Sequence, residues 1–379
     1  MLIGNIVKQV RVSIYVKGDR NSTAYYRIYQ YLDRIEGIKC HYHLMMAPSI
    51  HNRFMPISKQ NLLVKSIVYI HVYFRMLWAL INDLLDKPDA IVVHKRIISR
   101  YMPLSYKWLV LLILKRNVQL IWDFDDHILN NKEVTVSTFN FFSQHANAII
   151  VTHDYLKSLI LEQYQPKVHI LPTTDGDMYE MYRSEDLNAH RIHLLNEGCV
   201  YLVWVATSVN LKHLESIIDE LDNAAFVLAK DWGKHLFLKV VCDAPLLHKC
   251  QHLKVENIKW TRKDAVMAMK DSHIGIMPLD DSIFSKGKGG FKLVQYLSIG
   301  LPCIGTNVGY NKQVISENCG YLIDYDKPEG WTDAILKLVN PSNWQQLSRN
   351  AYLQWETNFS YDRNLAFWRD LLLSAEWKQ

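Results

Sequence analysis

The residues best suited to chemistry lie between Gly275 and Tyr310, in GIMPLDDSIFSKGKGGFKLVQYLSIGLPCIGTNVGY. An apolar run, Gly275–Met277, leads into a loop with Asp280 and Asp281. The loop continues as Ser285-Lys286-Gly287-Lys288-Gly289-Gly290, and a helical pattern opens at Phe291 and stops at Gly300, a good helix terminator. A glycine-rich loop at a helix N-terminus offers amides and the positive end of the helix dipole to an anion. Lys286, Lys288 and Lys292 add full charges, so a diphosphate fits. The plain alternative is a lysine-bearing turn that binds nothing; the position after a strand and before a helix argues against it. The P-loop is excluded, because its Gly-Lys-Ser/Thr is missing.

A second cluster is acidic. Asp123, Asp125 and Asp126 follow the apolar run Leu120–Trp122, at the carboxyl end of a strand. One of them could orient a hydroxyl or accept its proton; a helix cap with turn carboxylates explains the same residues equally well. His94 ends the preceding strand and His127 adjoins the acidic turn. The first strand-to-helix turn runs Lys17-Gly18-Asp19-Arg20-Asn21-Ser22-Thr23, with Arg27 on the helix. Ser22 or Thr23 caps that helix or meets a ligand, and Arg27 could hold a phosphate or acid group. Asp280 and Asp281 read as a solvated loop, since no His or third carboxylate sits nearby to complete a metal site.

The elements that must position these residues alternate. Strand patterns at Val10–Val16, Cys40–Met46, Ala90–His94, Val118–Asp123, Ala148–Thr152 and Val168–Leu171 are separated by helical ones at Thr23–Ile35, Ile57–Leu85, Leu104–Leu114 and from Asp154. A second run follows, with strands at Val200–Ala206, Leu238–Cys242, Asn257–Trp260, Ile274–Met277, Cys303–Gly305 and Tyr321–Ile323. Its helices fall at Leu211–Leu221, Lys263–Lys270 and Phe291–Ile299. The polar stretch Pro172–Gly198 reads as a linker. Helical patterns at Trp331–Leu338, Ser342–Thr357 and Asp362–Glu376 end the chain. Such alternation predicts two parallel sheets covered on both faces, each binding at the carboxyl ends of its strands. A ligand between the halves would touch both.

A length of 379 residues suits two domains, and 49% hydrophobic with 21% charged residues is globular composition. Residues 1–120 carry 18 Lys and Arg against 6 Asp and Glu, a net of +12; the remainder carries 25 against 32, a net of −7. The basic third suggests an anionic partner, whether a membrane surface, a phosphorylated lipid, an acidic glycan or nucleic acid; ordinary solvated surface explains it as well. Six cysteines without a CxxC pair indicate buried thiols in a reducing compartment. The first residues lack the order of a signal peptide. Leu62–Leu85 carries Lys65, His71, Arg75, Asn82 and Asp83, too polar a load for a spanning helix. It packs on a sheet or lies on a membrane. The expected location is cytoplasmic, with a peripheral place on the inner face of the cytoplasmic membrane as the further option.

Together these residues resemble the retaining GT-B glycosyltransferases of the sucrose-synthase and bacterial mannosyltransferase type, and more narrowly a bacterial branch acting in surface-polysaccharide assembly. GIMPL, GKxGFKLxQY, GLP and NVG carry the likeness. Val205-Ala206-Thr207-Ser208 with Asn210-Leu211-Lys212-His213-Leu214 is similar to the first strand, loop and helix of the family's donor domain. Asn257-Ile258-Lys259-Trp260 resembles the strand before the nucleobase loop. Trp122-Asp123-Phe124-Asp125-Asp126 resembles the acidic turn of the acceptor domain, and Ile170-Leu171-Pro172-Thr173 its end.

The resemblance implies a GT-B fold: an acceptor-binding Rossmann-like domain over 1–185, a nucleotide-sugar domain over 186–360 with a central cleft, and a helix over 361–379 returning to the first domain. It implies a UDP- or GDP-sugar donor, no cofactor or metal, and a glycan or lipid-linked acceptor; no nucleic-acid partner is expected, because the basic third lacks a recognition element. Donor residues would be Thr207, Ser208, Asn210, Lys212, Asp243, Trp260, Thr261, Arg262, Lys286, Gly287, Lys288, Gly289, Gly290, Phe291, Lys292 and Gln295. Trp260 serves equally well as core. Lys212, Lys288 and the Gly289 and Gly290 amides would hold the phosphates, with Lys292 a fourth contact. The acceptor would meet Ser22, Thr23, Arg27 and His94, with Asp123, Asp125 or Asp126 catalytic. The chain departs from the family at two glutamates, where Gly287 and Gln295 stand. A GT-B-fold sugar-nucleotide epimerase and a non-catalytic nucleotide-sugar-binding homologue remain open. A Rossmann dehydrogenase is disfavoured, because no GxGxxG follows the first strand.

Overall fold

A computed structural model describes residues 9–18, 23–54, 59–181 and 184–374. The chain divides into two compact units, Met1–Pro172 with Asp362–Gln379, and Thr173–Tyr361.

The first unit is built on six parallel strands: β1 (Val10–Val16), β2 (Ile38–Leu44), β3 (Ala90–His94), β4 (Gln119–Phe124), β5 (Ala148–Val151) and β6 (Val168–Ile170), in the order β2-β1-β3-β4-β5-β6. β3, β4 and β5 are near-continuous apolar runs because helices cover both faces of a parallel sheet. The order of growth reverses between β1 and β3, and the crevice outside their carboxyl ends is where such sheets bind.

Helix Leu62–Asp86 packs Val68, Val72, Met76, Ala79 and Leu80 against this sheet. Asn61 caps it, accepting from the Val64 amide at 2.9 Å, and Lys87 ends it in the left-handed region at φ 51°. Its one buried carboxylate, Asp83, accepts from Ser13 at 2.7 Å and Tyr15 at 2.6 Å on β1. That polar anchor fixes the helix on the sheet. The helix Tyr361–Leu373 contributes to the same unit from Asp362 onward, with the Asn364 side-chain amide donating to the Tyr31 hydroxyl at 3.1 Å and the Pro172 carbonyl at 2.7 Å.

The second unit also has six parallel strands: β7 (Cys199–Val205), β8 (His235–Cys242), β9 (Lys254–Lys259), β10 (Ile274–Met277), β11 (Cys303–Thr306) and β12 (Gly320–Ile323), in the order β12-β11-β10-β7-β8-β9. Read from β9, this is the dinucleotide-fold order, with its switch point between β7 and β10. Helix Phe291–Ser298 seats directly on β10. A Cβ at Gly275 would lie 2.2 Å from the Tyr296 ring, so only glycine lets the helix approach, and the Tyr296 hydroxyl accepts from the Val205 amide at 3.2 Å.

Several expectations change. Pro172–Gly198 is not an irregular linker but carries helices Gly176–Met181 and Ser184–Asn196. Arg191 explains why the second of these belongs to the second unit. Fully buried, it donates to the carbonyls of Met269 at 3.3 Å, Lys270 at 2.9 Å and Ile299 at 2.9 Å, satisfying the open ends of two helices. Residues 173–185, given to the first domain by the sequence, lie in the second unit. The pattern Leu211–Leu221 is two helices, Leu211–Glu215 and Ile218–Trp232, broken at Ile217. The pattern Thr23–Ile35 holds a wide π turn at Tyr25–Tyr29 before a short α turn.

Candidate functional site

In the second unit the loops after β7 and β10 meet at the switch point. Lys288, from the glycine-rich loop, donates to the Asn210 side-chain oxygen. Lys212 reaches Asp280 at 3.1 Å, and the Asp280 amide donates to His213 Nδ1 at 3.3 Å. Lys286 pairs with Asp281 at 2.9 Å. Asp280 is not a loosely solvated loop residue: it accepts from the hydroxyls of Ser282 and Ser285, each at 2.5 Å. Burial raises its pKa, but those bonds and Lys212 outweigh it and hold the carboxyl below the usual range.

The amides divide. Gly287 donates to the Ile283 carbonyl at 3.2 Å and Lys288 to the Ser285 carbonyl at 3.2 Å, closing the turn Ile283–Lys286. Gly287 therefore does not offer its amide to a ligand. Gly289 and Gly290 have no such hydrogen bond among the described residues, and they stand at the N-terminus of helix Phe291–Ser298. Gly290 lies at φ +59°, where a Cβ would also meet Tyr310 at 3.0 Å. Phe291 opens the helix, with the Lys292 ammonium over its ring at 5.3 Å.

Gln295 is corrected more sharply. It is buried, donates to Asp175 at 2.7 Å and accepts from Lys292 at 2.8 Å, so its amide is committed inside the unit rather than presented to a ribose. Asp175, also buried, pairs with Arg262 at 2.9 Å, and Arg262 reaches Asp177 at 3.0 Å. The carboxylate absent at position 295 is thus present one hydrogen bond away. Burial first, then Arg262, lower the Lys292 ammonium to about 8 against the pull of Asp175. Asp175 was missed in the sequence; its only local signal was the turn after Pro172.

Of the other donor candidates, Asp243 is exposed and accepts from the Ser208 amide at 2.6 Å and hydroxyl at 2.8 Å, joining the ends of β7 and β8. Thr207 accepts from the Asn210 side chain at 3.1 Å, shaping the same turn. Thr261 caps helix Arg262–Lys270, taking the Asp264 amide at 3.0 Å. Trp260 is half exposed after β9, not core.

In the first unit, Asp123 is fully buried at the end of β4. It accepts from Arg27 Nη2 at 2.5 Å and His94 Nδ1 at 2.7 Å. Burial would raise its pKa, but the Arg27 charge and His94 outweigh it and keep the carboxylate ionised. Asp123 is therefore an orienting group, not a base open to a ligand. Arg27 is spent likewise, donating also to the Leu171 carbonyl, and is not available for an acceptor phosphate. The second nitrogen of His94 lies 3.3 Å from the Thr23 hydroxyl. Ser22 lies outside the described residues.

Lys95 was also missed. Its ammonium lies 2.7 Å from Asp125, 2.9 Å from Asp126 and 3.6 Å from Glu133. The Asp125 contact is close enough for an ion pair but not aligned as a hydrogen bond. Against burial, Lys95 holds Asp125 at about 2. Asp126 differs. Burial and then the Asp125 charge push its carboxyl up, and 36% of its side chain is exposed. Among the described residues no set of three His, Cys, Asp or Glu side chains is gathered to hold a metal ion.

Two doubly wound parallel units in one chain, the second with lysines and helix amides at its switch point, make up a GT-B glycosyltransferase fold. Residues 199–341 match the family described as Glycosyl transferases group 1. HepE from Anabaena, solved with UDP-glucose, has a similar structure: TM-score 0.62 at 10% identity, covering 97% of this chain and 100% of that one. A glycosyltransferase from Rickettsia africae reaches 0.59 at 12%, covering 97% and 99%. Sucrose-phosphate synthase from Thermosynechococcus elongatus reaches 0.57 at 11%, covering 96% and 98%. No curated protein matches the chain in sequence. The GT-B fold that the resemblance implied is borne out over the chain, and the glycosyltransferase likeness in sequence over 199–341.

Proposed function

We propose that this chain moves a sugar from a nucleoside-diphosphate sugar to a hydroxyl of a glycan or lipid-linked acceptor in surface-polysaccharide assembly, with retention and without a metal ion. The carrying observation is the meeting of Asn210 and Lys212 with Lys286, Lys288 and the Gly289–Gly290 amides at the β7/β10 switch point. Breaking the bond between the anomeric carbon and the diphosphate oxygen builds negative charge on the leaving group. Ammonium groups and helix amides aimed there stabilise that charge as it develops. Lysines meet the need a metal would otherwise serve. The UDP-glucose named with the HepE structure supports a UDP-sugar over a GDP-sugar. Asp126, partly exposed and with its proton affinity raised, is the group best suited to exchange a proton with an acceptor hydroxyl.

A nucleotide-sugar-binding homologue without transferase activity is the second reading. It is favoured by Gly287 and Gln295, whose polar groups are both engaged internally. A screen of UDP-, GDP-, ADP- and dTDP-sugars separates the readings. Binding with sugar release or transfer supports the enzyme. Binding without either, under every acceptor, supports the homologue, and conversion of the free donor to its epimer supports an epimerase. No binding of any nucleotide removes the site itself.

A further inference from the structure

Helix Leu62–Asp86 is apolar on two opposite sides. One side packs Val68, Val72, Met76, Ala79 and Leu80 on the sheet. The other carries Leu63, Ile67, Ile70, Phe74, Trp78 and Leu85, each more than half exposed. At 100° per residue these six fall within one narrow stripe, which runs about 33 Å along the helix. Leu104 and Trp108, one turn apart on helix Leu104–Leu114, are equally exposed beside it. The two helices touch through Tyr73 and Ser105 at 3.4 Å and through the Tyr106 hydroxyl on the Tyr73 carbonyl. A stripe of this length exceeds what scattered surface residues explain.

We propose that this outward face docks on an anionic lipid bilayer, with the helix lying in the headgroup region parallel to the surface. The helix is long and apolar enough to cross a membrane, but Asp83 and the inner stripe hold it on the sheet. It therefore offers the bilayer one side only. Charge selects the occupant. Residues 51–120 hold 11 Lys and Arg against 3 Asp and Glu, a net of +8. Arg75, Arg100, Lys115 and Arg116 are exposed in that region. A second copy would set this excess against itself across a two-fold interface. An anionic surface gains from it, and Phe and Trp suit the headgroup boundary. This inference does not depend on the proposed chemistry.

The test is flotation of the full chain with vesicles of phosphatidylcholine alone or with about 30% phosphatidylglycerol. Wild type is expected to float with the anionic vesicles, and to lose that binding when salt rises from about 0.1 M to about 0.5 M. Phe74→Glu with Trp78→Glu should lower partition by about tenfold or more. Arg100→Glu with Lys115→Glu should lower anionic binding without touching the apolar stripe. An unchanged far-ultraviolet circular dichroism spectrum and an unchanged thermal unfolding profile show that each variant is folded, the first unit included. Failure of wild type to float, or equal flotation of all variants, overturns the proposal. So does a dimer in solution that the Phe74 and Trp78 substitutions dissolve, which would make the face a self-association surface.

Discussion

At the scale of single residues, the lysines of the glycine-rich loop carry the sharpest expectation. Lys288→Ala should weaken UDP binding by more than tenfold, about 1.4 kcal/mol or more, and calorimetry that finds unchanged affinity would remove the phosphate assignment. Lys292 adds a pH dependence. Its native pKa of about 8 lies below the ordinary 10.5. Between those values the unfolded chain binds the proton more firmly, so for this group stability rises with pH. Nucleotide binding should run the other way: a diphosphate favours the ammonium, and affinity should fall as pH passes about 8. A pH series with Lys292→Ala as the flat control checks the sign. On the acceptor side, Asp126→Asn should cut transfer more than tenfold while leaving UDP binding intact, a loss in the range of general-base catalysis. Asp123→Asn should instead destabilise the first unit, because Arg27 would be left buried without its partner. The loop lysines and the acidic turn were legible because residue type and placement declare them. The engagement of Asp123 by Arg27, 96 positions away, and of Gln295 by Asp175, 120 away, was not, since spacing along the chain says nothing of such partners.

At the scale of elements, strands were read closely because β-branched runs between turns leave little choice; β1, β3 and β10 fall where the pattern puts them. The misread segments have weak periodicity. Ser184–Asn196 is polar nearly all round, and it is held by Arg191 on distant carbonyls rather than by an apolar stripe of its own. The helix at Leu62–Asp86 was ambiguous between packing and membrane because it is apolar on two sides and only one of them packs on the sheet. Gly275 tests the element level directly. Gly275→Ala would push a methyl into Tyr296 and lift helix Phe291–Ser298 off β10. A loss of about 1–3 kcal/mol in thermal or urea unfolding is expected. UDP affinity should fall with it, because that helix presents the Gly289 and Gly290 amides.

At the scale of the molecule, each unit owns a core. The core of the first unit spans the buried residues from Tyr15 to Val168. The two cores of the second lie on either side of its sheet, one around Trp204, Trp331 and Trp344, the other around Tyr296 and Trp355. Chain order does not follow this division, because residues from Asp362 onward return to the first unit. Trp368 is the largest buried side chain in that returning segment. Trp368→Ala should therefore cost the first unit about 3–5 kcal/mol. Two transitions should then separate in calorimetry, since two units with independent cores need not unfold together. UDP should raise only the transition of the second unit, in proportion to its occupancy, because a ligand stabilises the body that binds it. A single transition, raised by UDP in the variant as in the wild type, would mean that the two cores unfold as one cooperative body.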